Sequence, residues 1–357
     1  MRIVQLIDSL QSGGAERMTV NLANVFNEAG YKSVLVVSRT TGNMESLIDN
    51  NIDVKFLNKR SFADILAFWK LYKLIKSDEK CVVHAHATSI FWGSILKLLL
   101  PKIILIWHDH YGSINTEGLD NRKITILFAK KSDGVISVNE GLRLWAINSL
   151  NKPENKVVYM RNFPMLKFGR SSKRNIFTIV QLANFRAAKD HFTALEAFKI
   201  LRDKGYKFQV LWAGLLSEEV YVNELKEKLS EYKLINMVRF LGEVTNVENL
   251  LNTSHLGLLS SASEGLPVSL LEYGLAGLPV VCTNVGQCND VIISEEFGYL
   301  VSPRSSSIMA EKIEKIYLNY EVELQKGMNL KERVLDEFGA KKFLKEYKKL
   351  LLELVPN

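Results

Sequence analysis

The chain of 357 residues carries 46 Lys and Arg against 39 Asp and Glu, a formal net charge of +7, and is 47% hydrophobic and 24% charged. At roughly 100–200 residues per domain this length suits two domains with ample cores, and the composition excludes wholesale disorder. Three scattered cysteines, Cys81, Cys282 and Cys288, cannot form a disulfide framework, so a reducing compartment is expected.

The N-terminal segment MRIVQLIDSLQSGGAE has one basic residue and a short strand-like run, unlike a signal peptide. No run of about 18 apolar residues is present, so no transmembrane helix is expected. The expected location is cytoplasmic, with peripheral contact at the inner face of the membrane.

Strands are predicted at 2–8, 31–38, 53–57, 81–87, 102–108 and 134–139, and helices at Glu16–Glu28, Phe62–Lys76, Ile90–Leu100 and near Asn121–Lys131. Short Val- and Ile-rich runs separated by helical periods indicate βαβ units and a parallel sheet covered on both faces. The polar, basic stretch 162–175 contains Pro and Gly and reads as a linker. The pattern then restarts, with strands at 177–183, 208–214, 237–242, 256–261 and 279–283. Helices are predicted at 190–204, 219–231, 246–252, 267–276 and 306–320, and an amphipathic helix Ala340–Leu354 closes the chain. The fold class is therefore α/β, two doubly wound Rossmann-like domains facing a cleft. The expected borders are 1–165, 166–336 and a terminal segment 337–357.

Charge divides unevenly. Residues 1–170 hold 23 basic and 15 acidic side chains, a net of +8, which leaves 23 and 24, a net of −1, for residues 171–357. Such asymmetry suits an anionic partner for the first half.

Three motifs bear on chemistry. Gly13 and Gly14, in Ser12-Gly13-Gly14-Ala15-Glu16, let backbone approach a ligand at a helix N-terminus. Arg186 and Lys189, at the end of the strand 177–183, are two cations suited to a diphosphate. The third and strongest motif is Ser263-Glu264-Gly265-Leu266-Pro267-Val268-Ser269-Leu270-Leu271-Glu272. Pro267 suits the first helical position, which puts Glu264 in the loop and Glu272 about one and a half turns into the helix. The amides of Gly265 and Leu266 can meet an anion, and each carboxylate can accept hydrogen bonds from a vicinal diol.

Glu264 to Glu272 matches the E-x7-E motif of the retaining family 4 glycosyltransferases, which have the GT-B fold. Gly13-Gly14, the strand ending IWHDH, the turn VVYMRNFP with Asn162, AGLPVVCTNVG and EFGAKKFLKEYKKLL also resemble that family. The resemblance implies that Glu272 binds the ribose and Glu264 the donor-sugar hydroxyls, with Gly265, Leu266 and Pro267 lining the pocket. It implies further that Lys189 and Arg186 hold the diphosphate, that Gly13 and Gly14 approach it, and that His108 contacts the donor sugar. The catalytic set is then His108, Glu264 and Lys189, and the terminal helix crosses back onto the first domain. Two positions depart from the family pattern. Asn184 stands where the family often has Arg, with Arg186 two residues on, and Gln287 replaces a second glycine after Gly286.

His84-Ala-His86 and His108-Asp-His110 are both H-x-H, and on a strand each pair shares a face able to chelate a metal. No acidic cluster accompanies them and D-x-D does not occur, so no metal or other cofactor is expected. His84 is read as a core residue, His86 as lying on the acceptor side. Lys70, Lys73 and Lys76, on a helix with a wide apolar stripe, suit a membrane surface.

The expected function is retaining transfer from a nucleotide-diphosphate sugar, a UDP-sugar by family frequency alone, to a hydroxyl of a glycan or lipid-linked saccharide in cell-surface polysaccharide synthesis. The partners are that donor, that acceptor and an anionic membrane, with no nucleic acid. The rival readings are a sugar-nucleotide epimerase or hydrolase of the same fold and a non-catalytic nucleotide-sugar-binding subunit.

Overall fold

The structure is a computed structural model that describes residues 1–11, 13–61, 63–76, 80–111, 122–166, 168, 172–244 and 246–355. Ser12, Phe62, Asn121 and the linker positions 167 and 169–171 lie outside the described residues. The chain divides into two compact units, Met1–Phe163 with Ala340–Asn357, and Pro164–Gly339.

The first unit is a parallel sheet in the order β3-β2-β1-β4-β5-β6-β7. Its strands are β1 (Arg2–Ser9), β2 (Lys32–Thr40), β3 (Asp53–Phe56), β4 (Cys81–His86), β5 (Ile104–Asp109), β6 (Gly134–Ser137) and β7 (Val157–Tyr159). β1, β4 and β6 are buried almost end to end, because helices cover both faces of the sheet. Side-chain caps begin two of those helices. Asp64 accepts from the amide of Ala67 at 3.0 Å to start Ile65–Ile75, and Asn139 accepts from that of Leu142 at 2.8 Å to start Glu140–Leu150. A cap satisfies one of the orphan amides of the first turn.

The second unit repeats the plan with β8 (Phe177–Leu182), β9 (Phe208–Ala213), β10 (Val238–Gly242), β11 (Leu256–Leu259), β12 (Val280–Thr283) and β13 (Tyr299–Val301). Their order is β10-β9-β8-β11-β12-β13, all parallel. Alternate strand residues feed two cores, one holding Phe198, Trp212 and Ile313, the other Leu270, Tyr273 and Val334.

Among the elements beyond the sequence expectation are the three-residue strands β7 and β13 and the helices Glu140–Leu150, Cys288–Val291 and Tyr320–Glu337. The predicted helix 306–320 ends at Leu318, and the next begins at Tyr320. Among the described residues no helix is long and apolar enough to cross a membrane.

Candidate functional site

In the second unit, neighbouring strands β8 and β11 send their chains to opposite sides of the sheet, toward β9 and β12. The loops leaving their carboxyl ends diverge, and such a switch point leaves a crevice. Both of the strongest sequence motifs lie on these two loops.

The loop after β8 is held at several points. Ala183 N donates to Ala213 O at 2.9 Å, Phe185 N to Leu215 O at 2.8 Å and Ala262 N to Ala188 O at 2.9 Å. Asn184 uses its side-chain oxygen to accept from Leu215 N at 3.0 Å, a structural task. Arg186 is exposed. Asp190, at a left-handed φ of 44°, caps the helix His191–Asp203 through Thr193 N at 3.2 Å and Thr193 Oγ1 at 2.7 Å.

Lys189 Nζ reaches across to Glu264 Oε1 at 2.6 Å, joining residues 75 apart in sequence. The two side chains are 14% and 9% exposed. Ser261 Oγ donates to the same carboxylate oxygen at 2.6 Å. Beneath them runs a buried relay: Trp212 Nε1 donates to Gln181 Oε1, Gln181 Nε2 to Ser260 Oγ, and Ser260 Oγ to the Lys189 carbonyl, at 2.9, 2.9 and 3.0 Å. A network with its members satisfied rigidifies what it supports. Gln181, Ser260 and Ser261 were missed by sequence reasoning. Their signal was polar side chains at the ends of otherwise apolar buried strands.

The Glu264 loop rests on the 283–287 loop. Gly286 has φ of +55°, and a Cβ there would meet the Glu264 carbonyl at 2.2 Å. Gln287 N donates to Gly265 O at 2.9 Å and Thr283 Oγ1 to Ser261 O at 2.7 Å. Gln287 therefore supplies a backbone contact despite its departure from the family glycine. Pro267, expected inside the helix, is instead its cap: it is extended (φ −74°, ψ 113°) and the helix is Val268–Leu275. Extended geometry there leaves the Gly265–Pro267 backbone outside the helix, with Gly265 exposed and Leu266 half-buried. Glu272 is half-buried on that helix. Its neighbour Tyr273 ties the helix to both strands, donating to Leu258 O at 3.0 Å and accepting from Leu182 N at 2.7 Å.

In the first unit, Gly13 is extended and caps the helix Gly14–Glu28. A Cβ on Gly14 would meet nothing within 4 Å, so its backbone faces open space.

The histidines form one stack on a single face of β4 and β5. His84 Nε2 lies 3.2 Å from His108 Nδ1, His86 Nδ1 lies 2.9 Å from His110 Nε2, and His86 Nε2 lies 2.7 Å from Gln5 Oε1. The helix Ala340–Leu354 lays Tyr347 over His84 and Phe343 over His108, with ring centroids 5.5 and 6.3 Å apart. His86 ends β4 and His108 lies one residue before the end of β5, and neither ring has exposed surface. Of the four, His110 is the one partly exposed. His84, His86 and His108 bring ring nitrogens within 4.8 Å of one another. Imidazole pairs to imidazole here, and the group includes no carboxylate. Asp109 turns to the other face, where Arg122 holds it at 2.8 and 2.9 Å.

Two parallel α/β units, with the last helix returned to the first, make the GT-B fold. HepE from Anabaena, solved with UDP-glucose, superposes with a TM-score of 0.75 at 17% identity, covering 99% of each chain. Residues 12–163 match the profile described as Glycosyltransferase Family 4, and residues 166–333 that described as Glycosyl transferases group 1. The chain belongs to glycosyltransferase family 4. An uncharacterized glycosyltransferase of Haemophilus influenzae is 24% identical over 95% of this chain and 96% of its own. The capsular polysaccharide biosynthesis glycosyltransferase CapH of Staphylococcus aureus is 21% identical over 82% of this chain and 83% of its own.

Proposed function

We propose that the protein transfers a hexose, with retained anomeric configuration, from a UDP-sugar to a hydroxyl of a glycan or lipid-linked saccharide during assembly of a cell-surface polysaccharide. The observation that carries this is the Lys189–Glu264 ion pair at the switch point of β8 and β11. The likeness to HepE supports UDP, and that to CapH supports the polysaccharide setting.

In this reading Glu264 accepts hydrogen bonds from donor-sugar hydroxyls and Glu272 from the ribose. Lys189 and Arg186 face the diphosphate. A cation held in place before the reaction stabilises charge as it develops on the leaving group, without reorganising. The acceptor hydroxyl attacks from the face the diphosphate leaves, and a phosphate oxygen takes its proton, so no protein nucleophile is needed. Gly13 and Gly14 offer backbone to the diphosphate. Lys189 takes the charge-neutralising part that a dication plays elsewhere, so turnover should survive chelation.

The test combines calorimetry with UDP and turnover with a panel of UDP-sugars. Glu264→Gln keeps an acceptor for Lys189 and should leave UDP affinity within a few-fold while turnover collapses. Glu272→Ala should weaken UDP by about 1.5–3 kcal/mol, the cost of a lost charge-assisted hydrogen bond. Full turnover in Glu264→Gln, or unchanged UDP affinity in Glu272→Ala, would overturn these roles.

A further inference from the structure

The helices Ile65–Ile75, Ile90–Leu99, Lys123–Ala129 and Glu140–Leu150 share one core with the same face of the first sheet. Ala67, Leu71, Ile90, Leu96, Ala129 and Ala146 pack there on Val4, Leu6, Val83, Leu105 and Trp107. Side contacts make them one layer. Phe68 meets Trp92 edge-on at 5.6 Å, Phe91 meets Phe128 at 4.9 Å, and the Arg122 guanidinium lies 4.3 Å from the Trp145 ring centre.

The outward side of this layer is unusual for a soluble surface. Leu66 is 78% exposed, Trp69 50%, Leu98 61%, Ile124 68%, Leu127 65% and Leu144 51%. On Ile65–Ile75 the buried residues are Ala67, Leu71 and Ile75. At 100° per residue, Leu66, Trp69, Lys70 and Lys73 therefore share the opposite face. Every one of the four helices shows at least one large apolar side chain to solvent. Lys70, Lys73 and Lys123 are exposed on these helices, while Lys97 is paired with Asp133 at 2.8 Å and Arg143 with Glu140 at 2.7 Å.

We propose that the outer face of this four-helix layer is a docking surface for a bilayer rich in anionic lipid. Apolar side chains spread singly among lysines match what an interfacial helix offers: side chains to enter the acyl boundary and cations for the headgroups. A second copy would set the same excess of lysines against itself, at a cost in repulsion. The surface extends the single lysine-bearing helix marked by the sequence to a whole helix layer. It bears on the lipid-linked acceptor proposed above, but it does not depend on the donor chemistry.

The experiment is flotation of the full-length protein with vesicles of phosphatidylcholine alone or mixed with phosphatidylglycerol, at low and high salt. The wild type should float with the anionic vesicles only, and less at high salt. Two triple variants are compared, Lys70→Glu/Lys73→Glu/Lys123→Glu and Leu66→Ser/Trp69→Ser/Leu127→Ser. Each should cut anionic-vesicle binding by about a hundredfold and leave the melting temperature and UDP affinity unchanged, since these side chains are exposed. Equal flotation with neutral vesicles, none with anionic ones, or full binding by both variants overturns the proposal. So does a solution dimer that the apolar variant dissolves. A failed donor assay with intact flotation would count against the transferase reading alone.

Discussion

Burial pushes the imidazoles of His84 and His110 down to about 3, and those of His86 and His108 well below their ordinary value, with repulsion from neighbouring rings adding to the effect in His84, His86 and His108. At neutral pH the stack is uncharged, which is what lets each pair share a proton as donor and acceptor. The unfolded chain titrates near 6.5. Below that pH it binds protons that the folded chain refuses, so stability falls as pH falls, by about 1.4 kcal/mol per pH unit for each such ring. His191 and His255 are shifted the same way in the second unit. Urea denaturation at pH 7 and pH 5 should show the loss. In His84→Phe/His108→Phe, which removes both partners of one pair, the slope should be shallower by about 3 kcal/mol per pH unit. An unchanged slope would mean these rings do not exclude the proton.

At the scale of elements, the conformation of the Glu264 loop depends on its neighbour. A side chain at Gly286 faces a left-handed φ, costing about 1–2 kcal/mol, and a carbonyl at 2.2 Å that must move. Gly286→Ala should therefore displace Glu264 and lower turnover well beyond what its drop in melting temperature explains. Wild-type turnover in this variant would show the loop to be more pliable than its contacts imply. The elements that escaped the sequence pattern have physical reasons. β7 and β13 have three residues each, too few for a period. Glu140–Leu150 has apolar residues around much of its circumference, so no single stripe stands out. Tyr320–Glu337 buries only Glu323, Gly327, Leu330 and Val334, a narrow seam whose members include a glycine and a carboxylate. The buried Glu323 is bonded by Tyr299 OH at 2.8 Å, a partner that no local pattern reveals.

At the scale of the molecule, the first unit is discontinuous: Ala340–Leu354 completes it from the far end of the chain. That helix buries Phe343, Tyr347, Leu350, Leu351 and Leu354. At about 1.5–3 kcal/mol per buried side chain, its contribution rivals the net stability of a whole domain, about 5–15 kcal/mol. Truncation after Gly339 should leave the first unit unfolded, while the second, which lies within Pro164–Gly339, keeps its transition. Calorimetry reads this directly, and two intact transitions in the truncated chain would refute it.

Strand identity, helix faces and the break between two α/β halves were legible in the chain because they follow from periods of two and 3.6 in local apolar residues. The E-x7-E spacing was legible for the same reason, being nine consecutive residues on one loop and helix. The pairing of Lys189 with Glu264 was not, because it depends on β11 crossing over to lie beside β8, a choice of strand order made by packing across 75 residues. Likewise each H-x-H announced a shared face on its own strand, but only the register of β4 on β5, with His86 opposite His108, stacks the four rings. Only the returning helix decides that His108 is sealed beneath Phe343 while His110 keeps some exposure. Local pattern sets which face a side chain takes; what covers that face is decided by segments distant in sequence.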